Sequence, residues 1–233
     1  GFTDIRLFTS GLGNSDWRAL KAAGLVKVFF NLQGAKAETH EYISKTPGSF
    51  EAVKSQAVEA KKAGLYTGFH FVPMRPNWKE LPAVVELARR LDVDEVGVLR
   101  FVPQGRGLTN SRILQLNDGE FNDFLKIVAA LINNNCKPYL RLGCPFNPIA
   151  ELIPGWDRKK CPAAGEMCHV LIDGSVAPCS AFKHQANFKA GNIYKKRFKN
   201  IWDDGFADFT TLRQSLRTYY DCTAQKMQLG RCE

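Results

Sequence analysis

The sequence predicts an α/β fold, with a parallel β-sheet and its helices followed by a small cysteine-rich α+β module. Short apolar runs alternate with amphipathic helical segments in the first part of the chain, which is typical of βαβ units in a parallel sheet. Five of the seven cysteines follow residue 160, which indicates a separate module at that end of the chain.

Four strands are predicted in the first part of the chain. Their ranges are residues 4–10, 25–30, 65–73 and 95–102. Residues 25–30 are almost continuously apolar, as expected for a strand that is buried on both faces. Because helices separate these strands, we expect all four to run parallel.

The predicted helices lie between these strands and after the last of them. Asn14 or Ser15 is expected to cap a first short helix, which Gly24 ends. Further helices with apolar residues at helical spacing are predicted at residues 48–64, 81–91 and 121–131.

A domain boundary is predicted at residues 145–160, which are rich in proline, glycine and charge. We therefore expect the sheet in residues 1–110, a connecting helix and linker in residues 111–160, and the cysteine-rich module in residues 161–233. A chain of 233 residues is long enough to bury a sizeable hydrophobic core.

A β-hairpin is predicted inside the cysteine-rich module. Two short apolar runs, residues 170–172 and 176–178, flank the pair Asp173-Gly174. Glycine accepts the positive φ that tight hairpin turns demand, so we expect the two runs to pair.

The hairpin would bring cysteines together, because Cys179 follows its second strand and returns toward Cys161 and Cys168. Converging thiolates are the ligands of an iron–sulfur cluster or of a structural zinc, and both metals stay open. No secretory signal accompanies the odd number of cysteines, which favours metal ligation over a disulfide framework. A reducing compartment is expected, and hence a cytoplasmic location.

The formal net charge of +9 is compatible with nucleic acid, anionic lipid or an acidic peptide as a partner. The charges are dispersed along the chain, so we interpret them as a solvated surface and expect no nucleic-acid partner. No apolar run approaches the roughly 18 residues of a membrane span, so we expect no membrane partner either.

The module also follows a family pattern. Cys161, twelve further residues, Gly174, four further residues and Cys179 are followed by Gly191-Asn192-Ile193 and Asn200-Ile201-Trp202. This pattern resembles the opening of the SPASM domain, the C-terminal iron–sulfur module of many radical S-adenosylmethionine (SAM) enzymes.

The later SPASM cysteines are only partly matched. Cys222 matches the first of them and Cys232 lies near the third, whereas Gln225 stands where the second is expected. The resemblance implies an auxiliary [4Fe–4S] cluster, with Cys222 or Cys232 as a fourth ligand. The implied metal ligands are drawn from Cys161, Cys168, Cys179, Cys222 and Cys232. Cys136 and Cys144 are expected to be buried as small apolar residues.

Several segments of the first part carry a second resemblance. They are Thr9-Ser10-Gly11, Phe30-Asn31-Leu32-Gln33-Gly34, Gly48-Ser49-Phe50-Glu51, Asn77 with Glu80-Leu81, and Pro103-Gln104-Gly105-Arg106. Their order and spacing resemble strands three to six of a radical SAM barrel, which implies a partial (β/α) barrel. In such barrels the chemistry lies at the carboxyl ends of the strands. The residues there that the resemblance implies as SAM contacts are Thr9, Ser10, Asn31, Gln33, Arg100, Gln104 and Arg106.

One family motif does not occur in these 233 residues: the Cys-x-x-x-Cys-x-x-Cys triplet that holds the reactive cluster of radical SAM enzymes. We therefore expect a chain that is truncated at both ends and begins near the third strand of the barrel. The upstream strands are then lost, unobserved, or absent from a natural fragment that cannot cleave SAM. Residues 4–10 would form an exposed sheet edge, which favours self-association.

For the intact protein, the resemblance implies reductive cleavage of SAM to a 5′-deoxyadenosyl radical, which abstracts hydrogen from a peptide or protein substrate. An electron donor is implied as a partner, and the radical chemistry belongs to the cofactors. Two other functions stay open: a non-catalytic iron–sulfur or zinc binding module that presents a peptide or partner, and an enzyme of small-cofactor biosynthesis. Because the triplet is missing, the sequence leaves open whether this chain is itself an enzyme.

Overall fold

The computed structural model describes residues 1–133, 137–143 and 146–215, which fall into two compact units. The first unit consists of Gly1–Phe101, Arg112–Gly143 and Pro148–Gly155. The second unit comprises the described residues within Val102–Ser111, Cys144–Asn147 and Trp156–Glu233. Residues 102–111 therefore belong with the cysteine-rich module, although the sequence places residues 102–110 with the sheet.

The first unit contains a sheet of five parallel strands, in the order β1-β2-β3-β4-β5. The strands are β1 Ile5–Thr9, β2 Leu25–Asn31, β3 Tyr66–Phe71, β4 Glu95–Val98 and β5 Tyr139–Leu142. The first four confirm the predicted strands and their parallel direction. Strand β5 lies inside residues 111–160, which we expected to form only a connecting helix and a linker. That expectation is wrong at residues 139–142, where polar and apolar side chains alternate within only four residues.

The helices alternate with the strands as the sequence indicates. They are α1 Trp17–Ala22, α2 Ala37–Ser44, α3 Ser49–Lys62, α4 Leu81–Arg90, α5 Arg106–Thr109, α6 Ser111–Leu114, α7 Asp118–Asn133, α8 Phe198–Asp204 and α9 Ala207–Ser215. Short 3-10 turns occur at Trp78–Glu80, Asn147–Glu151, Ser180–Phe182 and Ala186–Phe188. In the described residues, no helix is long and apolar enough to cross a membrane.

The N-terminal cap of α1 differs from the expected one. Asp16, rather than Asn14 or Ser15, accepts a hydrogen bond from the backbone N–H of Ala19 at 2.9 Å. A carboxylate at this position satisfies one of the amides that the first turn leaves unpaired. Gly24, at φ +106°, follows the helix as predicted.

The two faces of the sheet have different chemistry, because successive residues of a strand point to opposite faces. Phe30, Phe69 and Val96 lie side by side across β2, β3 and β4 and are fully buried. Trp17 of α1 meets the Phe30 ring edge-on, with ring centroids 5.5 Å apart. We call this the helix face. The opposite face includes Phe29 of β2 and Glu95 of β4, and we call it the aromatic–polar face.

Strand β1 lies at one edge of the sheet within the described residues. Its side chains are only partly covered: Ile5 is 41% exposed and Phe8 is 58% exposed. The strand therefore offers unpaired backbone groups beside apolar side chains, a combination that invites pairing with another chain.

The second unit is built on a three-stranded antiparallel sheet in the order β6-β7-β8, with strands His169–Val170, Ser175–Ala177 and Gly191–Asn192. Strands β6 and β7 form the predicted hairpin, and β8 extends it. Two small apolar clusters flank this sheet. The Phe182 cluster consists of Ala163, Ala177, Phe182 and Phe209, and the Ile201 cluster consists of Val176, Ile201 and Phe206.

Candidate functional site

The hairpin brings the segments that carry the described cysteines next to one another. The backbone N–H of Ala164 donates to the carbonyl oxygens of Met167, at 2.9 Å, and Pro178, at 3.2 Å. Ala164 follows Cys161 closely, while Met167 and Pro178 immediately precede Cys168 and Cys179. One amide therefore holds all three cysteine-bearing segments together.

The turn of the hairpin is fixed by two residues. Gly174 has φ +77°, and a Cβ atom there would lie 2.5 Å from the ring of Tyr194. Asp173 Oδ1 accepts hydrogen bonds from the N–H of Ser175 at 2.9 Å and from its hydroxyl at 2.6 Å. These bonds, the one from the hydroxyl foremost, lower the pKa of the Asp173 carboxyl. The turn is thus specified by backbone conformation and by side-chain hydrogen bonds.

The three described cysteines divide between the two apolar clusters. Cys161 and Cys179 pack against the Phe182 cluster, whereas Cys168 packs against the Ile201 cluster. The hairpin register explains the division: His169 pairs with Ala177, so Cys168 and Cys179 fall on opposite faces. Burial also raises the pKa of the Cys168 thiol.

That Cys161, Cys168 and Cys179 share one metal centre stays a prediction. Among the described residues, no three histidine, cysteine, aspartate or glutamate side chains group in a way that suits a metal ion. Cys161 and Cys179 pack against the same apolar cluster, and Cys168 packs against the other. The four remaining cysteines of the chain, Cys136, Cys144, Cys222 and Cys232, lie outside the described residues.

Two of the residues expected to contact SAM belong to the second unit instead. The side-chain amide of Gln104 donates through Nε2 to the backbone carbonyl of Ala181, which lies two residues after Cys179. Val102 packs against the Phe182 cluster, on the same side as Cys179. Arg106 begins α5 and is exposed. The structure thus connects Gln104 with the turn after Cys179.

Three of the expected SAM contacts lie at the ends of the first two strands. Thr9 closes β1, and its Oγ1 accepts a hydrogen bond from the N–H of Gly11 at 3.1 Å. Ser10 and Asn31 are exposed, and neither side chain makes a hydrogen bond within the described residues. Their polar atoms are accessible at the carboxyl end of the sheet, where the prediction places them.

The loop after β2 is bound tightly to the loop after β3. Gln33 Oε1 accepts a hydrogen bond from the N–H of Val72 at 3.1 Å. Asn77 is 1% exposed, and its Nδ2 donates to the carbonyls of Gln33, at 2.9 Å, and Val72, at 3.0 Å. Its Oδ1 accepts from the N–H of Met74 at 2.6 Å. Gln33 and Asn77 therefore position the strand ends, and the Gln33 carboxamide oxygen is engaged inside the protein.

Glu80 and His40 complete this loop network. The Glu80 carboxylate accepts hydrogen bonds from the N–H of Ala35 at 2.7 Å and from the hydroxyl of Thr39 at 2.5 Å. His40 is 2% exposed, and its Nδ1 accepts from the N–H of Gln33 at 3.1 Å. Burial lowers the pKa of His40, so it stays neutral and able to accept. The residues that carried the resemblance after β3 thus act here by organising loops.

Arg100 follows β4 and lies within the first unit. Its guanidinium sits over the ring of Phe121, 5.8 Å from the centroid, in a cation–π arrangement. This contact orients Arg100 near the carboxyl end of β4, so it remains close to the strand end where the sequence places it.

A further polar group lies on the aromatic–polar face and was not anticipated. It consists of Tyr66 and His70 of β3, Glu95 of β4 and Arg141 of β5, and we call it the Arg141 cluster. A signal was present, because charged or polar residues recur inside runs that otherwise predict buried strands. Which of them meet is decided by pairing between strands that are far apart in the sequence.

The comparisons with known proteins agree with the second unit. Residues 161–228 match the SPASM family, described as an iron-sulfur cluster-binding domain. The match spans Cys161, Cys168, Cys179 and the predicted later position Cys222.

Curated relatives match over most of this chain. An AdoMet-dependent heme synthase of Methanosarcina barkeri is 25% identical over 197 residues, which are 79% of this chain and 55% of the relative. An Fe-coproporphyrin III synthase of the same organism is 24% identical over 208 residues, 80% of this chain and 51% of the relative. The chain therefore spans about half the length of the curated relatives it matches.

Solved structures share the fold. SuiB of Streptococcus suis bound to precursor peptide SuiA has a TM-score of 0.69 at 13% identity, covering 96% of this chain and 55% of SuiB. The enzyme anSMEcpe with bound AdoMet and Kp18Cys peptide has a TM-score of 0.64 at 16% identity, covering 88% of this chain and 59% of that one. At such identities the likeness is one of fold.

Proposed function

From the premise that this chain is a radical SAM/SPASM protein, with a sheet of the radical SAM type followed in the sequence by a SPASM iron–sulfur domain, we propose that the protein it belongs to uses SAM for radical chemistry. The SPASM match at residues 161–228 is the observation that carries this proposal. When bound, SAM and a reducing cluster supply a 5′-deoxyadenosyl radical, formed with methionine by one electron from a donor, and the radical takes a hydrogen atom from the substrate.

The part of this chain in that chemistry is to hold an auxiliary iron–sulfur cluster. Cys161 and Cys179 pack on the same side of the hairpin sheet, against the Phe182 cluster. Thiolates are the ligands that iron–sulfur clusters use, and an apolar surface beside them limits the access of water. These two thiols fit such a group, and Cys222 or Cys232 remains the proposed source of further ligands. Cys168 is the less favoured ligand, because it lies on the opposite side.

The residues at the carboxyl ends of the first strands are proposed to contact SAM. Ser10 and Asn31 are exposed with unengaged polar side chains, which makes them the better supported candidates. Thr9, Gln33 and Arg100 belong to the same unit, although Gln33 uses its amide oxygen to hold the end of β3. We propose a structural role for Gln104 and keep Arg106 as an exposed candidate of the second unit.

The proposed substrate is a peptide or protein side chain. SuiB and anSMEcpe, which share this fold, are described with a bound precursor peptide and a bound Kp18Cys peptide. The exposed edge strand β1 and the aromatic surface beside it offer a place where an extended peptide would pair. An electron donor is the other partner that this chemistry needs.

A second substrate class is a carboxylated tetrapyrrole, which corresponds to small-cofactor biosynthesis. The curated relatives at 24–25% identity are named as a heme synthase and an Fe-coproporphyrin III synthase. These sequence relatives are more similar to this chain than the solved structures are. For this reason we test the tetrapyrrole as a substrate as well as the peptide.

The experiment compares the natural full-length protein with this 233-residue chain after anaerobic reconstitution with iron and sulfide. Each is incubated with SAM and dithionite, with or without an acidic peptide or Fe-coproporphyrin III, and 5′-deoxyadenosine is measured. We expect the full-length protein to form it and one substrate to accelerate it, whereas the isolated chain, without the cysteine triplet, should form none. Absence of 5′-deoxyadenosine from the full-length protein despite retained iron would favour the non-catalytic binding module.

A further inference from the structure

The Arg141 cluster joins three neighbouring strands through charged hydrogen bonds. Glu95 is 6% exposed, and its carboxylate accepts from the hydroxyl of Tyr66 at 3.1 Å and from Nε of Arg141 at 2.5 Å. Burial and the negative charge of Glu95 raise the pKa of Tyr66 to about 12, so its hydroxyl keeps its proton and remains a donor. Glu95 thus fixes the orientation of the Arg141 guanidinium through its Nε atom.

His70 holds the same guanidinium from a second side. Nη2 of Arg141 lies 3.0 Å from Nε2 of His70, and a guanidinium only donates, so Nε2 accepts and the imidazole proton resides on Nδ1. The His70 ring is also stacked against Phe29, with centroids 4.9 Å apart, and against Phe8, at 5.2 Å. Burial first, and Arg141 second, lower the pKa of His70 to about 4. His70 is therefore a neutral, rigid support.

Two glycines make room for this arrangement. A Cβ atom at Gly97 would lie 2.8 Å from both Arg141 Nη2 and His70 Cδ2, so only glycine lets these side chains meet across β4. A Cβ atom at Gly68 would lie 2.4 Å from the ring of Phe29, which therefore lies over β3. The sheet is built here to let side chains of non-adjacent strands touch.

The Nη1 end of the Arg141 guanidinium is not used in these contacts. The side chain is 33% exposed, and its Nη1 makes no hydrogen bond within the described residues. The Phe8 ring stacks against the same His70 ring, with centroids 5.2 Å apart; it is 58% exposed and offers a flat apolar surface. A fixed guanidinium with free N–H groups is suited to a planar carboxylate.

The surrounding charge favours an anion. The side chains with charge on or beside this face are Arg6, Lys27, Arg141, Asp4 and Glu95, so cations outnumber carboxylates by three to two. Asp4 is shared by Arg6 and Lys27, and Glu95 is buried beneath Arg141. The charge on and beside this face is therefore net positive.

We propose that Arg141, supported by Glu95 and His70, is a binding site for a carboxylate whose apolar part lies on Phe8. The identification of this carboxylate as part of the substrate rests on the proposed function. Carboxylate binding itself requires neither SAM nor a cluster, so it is measured separately from activity. A propionate of a tetrapyrrole and an acidic group of a peptide are two sources of the same chemistry.

The experiment is an NMR titration of the full chain with 13C-labelled histidine. The chain has four histidines, so the ring signals of His70 are assigned by comparison with His70→Gln. The probes are 3-phenylpropionate and its neutral analogue 3-phenylpropanamide. We expect saturable shifts of the His70 signals with the acid and at least tenfold weaker binding of the amide.

Matched variants locate the binding group. Arg141→Gln should weaken binding of the acid at least tenfold, whereas Arg18→Gln, the same change at an exposed position of α1, should leave it unchanged. Arg141→Lys keeps a positive charge beside Glu95 but replaces the planar guanidinium by a single ammonium nitrogen. We expect this variant to fold and to bind the acid severalfold more weakly. Equal binding of acid and amide, or wild-type binding by folded Arg141→Lys or Arg141→Gln, would overturn the proposal.

Competition identifies the source of the carboxylate. Coproporphyrin III is compared with its tetramethyl ester, and a glutamate-containing peptide with its glutamine counterpart. Displacement of 3-phenylpropionate by one acid form, but not by its neutral form, supports the site and names its ligand class. If neither acid form displaces the probe, Arg141 binds an adventitious small anion only and the proposal is wrong, whether or not the full-length protein cleaves SAM.

Discussion

Gly97→Ala is the substitution that most directly disturbs the Arg141 cluster without removing any of its members. The added Cβ atom would lie 2.8 Å from Arg141 Nη2 and 2.8 Å from His70 Cδ2, closer than carbon contacts in proteins allow. Arg141 is pinned at Nε by Glu95, and the His70 ring is confined by Phe8 and Phe29. We expect the Nη2–Nε2 hydrogen bond between Arg141 and His70 to break.

The magnitude follows from two opposing effects. Overpacking of this kind costs about 1–3 kcal/mol in the free energy of unfolding. The loss of glycine in a strand returns roughly 0.5–1 kcal/mol, because the unfolded chain becomes less flexible. The expected net destabilisation is about 0–2.5 kcal/mol, together with a rise in the pKa of His70 as Arg141 moves away.

Chemical denaturation and an NMR titration of His70 measure the two effects. Gly119→Ala in the first turn of α7 is the control, because its added Cβ meets only Asn117 Oδ1 at an ordinary 3.4 Å. That change should be neutral or stabilise by up to about 1 kcal/mol. If Gly97→Ala is as stable as wild type and leaves the His70 signals unchanged, the side chains do not meet across β4 as described.

Three further predictions concern other parts of the first unit. Asn77→Ala leaves the N–H of Met74 and the carbonyls of Gln33 and Val72 without their partner. We expect it to lower the free energy of unfolding by about 2–4 kcal/mol, measured by denaturant titration. The exposed control Asn110→Ala should lower it by less than about 0.5 kcal/mol. Asp16→Ala removes the cap of α1 and should cost about 1 kcal/mol by the same measurement, whereas Ser15→Ala should cost almost nothing; the reverse order would restore Ser15 as the cap. His70 has a pKa of about 4 in the folded chain and 6.5 as its ordinary value, so the unfolded state binds more protons between these values and stability falls as the pH drops through that window, by ~3 kcal/mol in all. Denaturation at several pH values should show this slope in wild type and a smaller one in His70→Gln; equal slopes would contradict the low pKa.

The sequence predicts the strands of the first unit well where a buried strand gives an uninterrupted run of apolar residues. Residues 25–30 and 65–73 are apolar enough to be recognised as strands, and β2 and β3 lie within one residue or two of those limits. Strand β5 was missed because Tyr139 and Arg141 interrupt its apolar positions, and such a short run does not differ from a loop. Its assignment depends on pairing with β4, which is a tertiary property.

The cysteine site shows a different limit of sequence interpretation. The turn Asp173-Gly174 correctly predicts the hairpin, because its chemistry is local. The number of cysteines suggests a common site, whereas the register pairs His169 with Ala177 and so predicts opposite faces of the hairpin for Cys168 and Cys179. The alternation of strand side chains would have indicated this once the turn was accepted.

The Arg141 cluster could not be assembled from the sequence. His70, Glu95 and Arg141 lie on three strands, and the contacts among them need glycine at position 97. Each residue alone is an ordinary polar interruption of an apolar run. Their meeting follows from the strand order, which places β4 between β3 and β5.

The central claim is that Cys161 and Cys179 hold an iron–sulfur cluster in the SPASM domain, with Cys168 apart from it. The most direct measurement is iron and acid-labile sulfide per chain, with the visible absorbance, after anaerobic reconstitution of wild type, Cys161→Ser, Cys179→Ser and Cys168→Ser. We expect the first two variants to lose most iron and sulfide, because cluster ligands are interdependent, and Cys168→Ser to retain both. Undiminished iron in Cys161→Ser and Cys179→Ser, or an equal loss in Cys168→Ser, would contradict the claim.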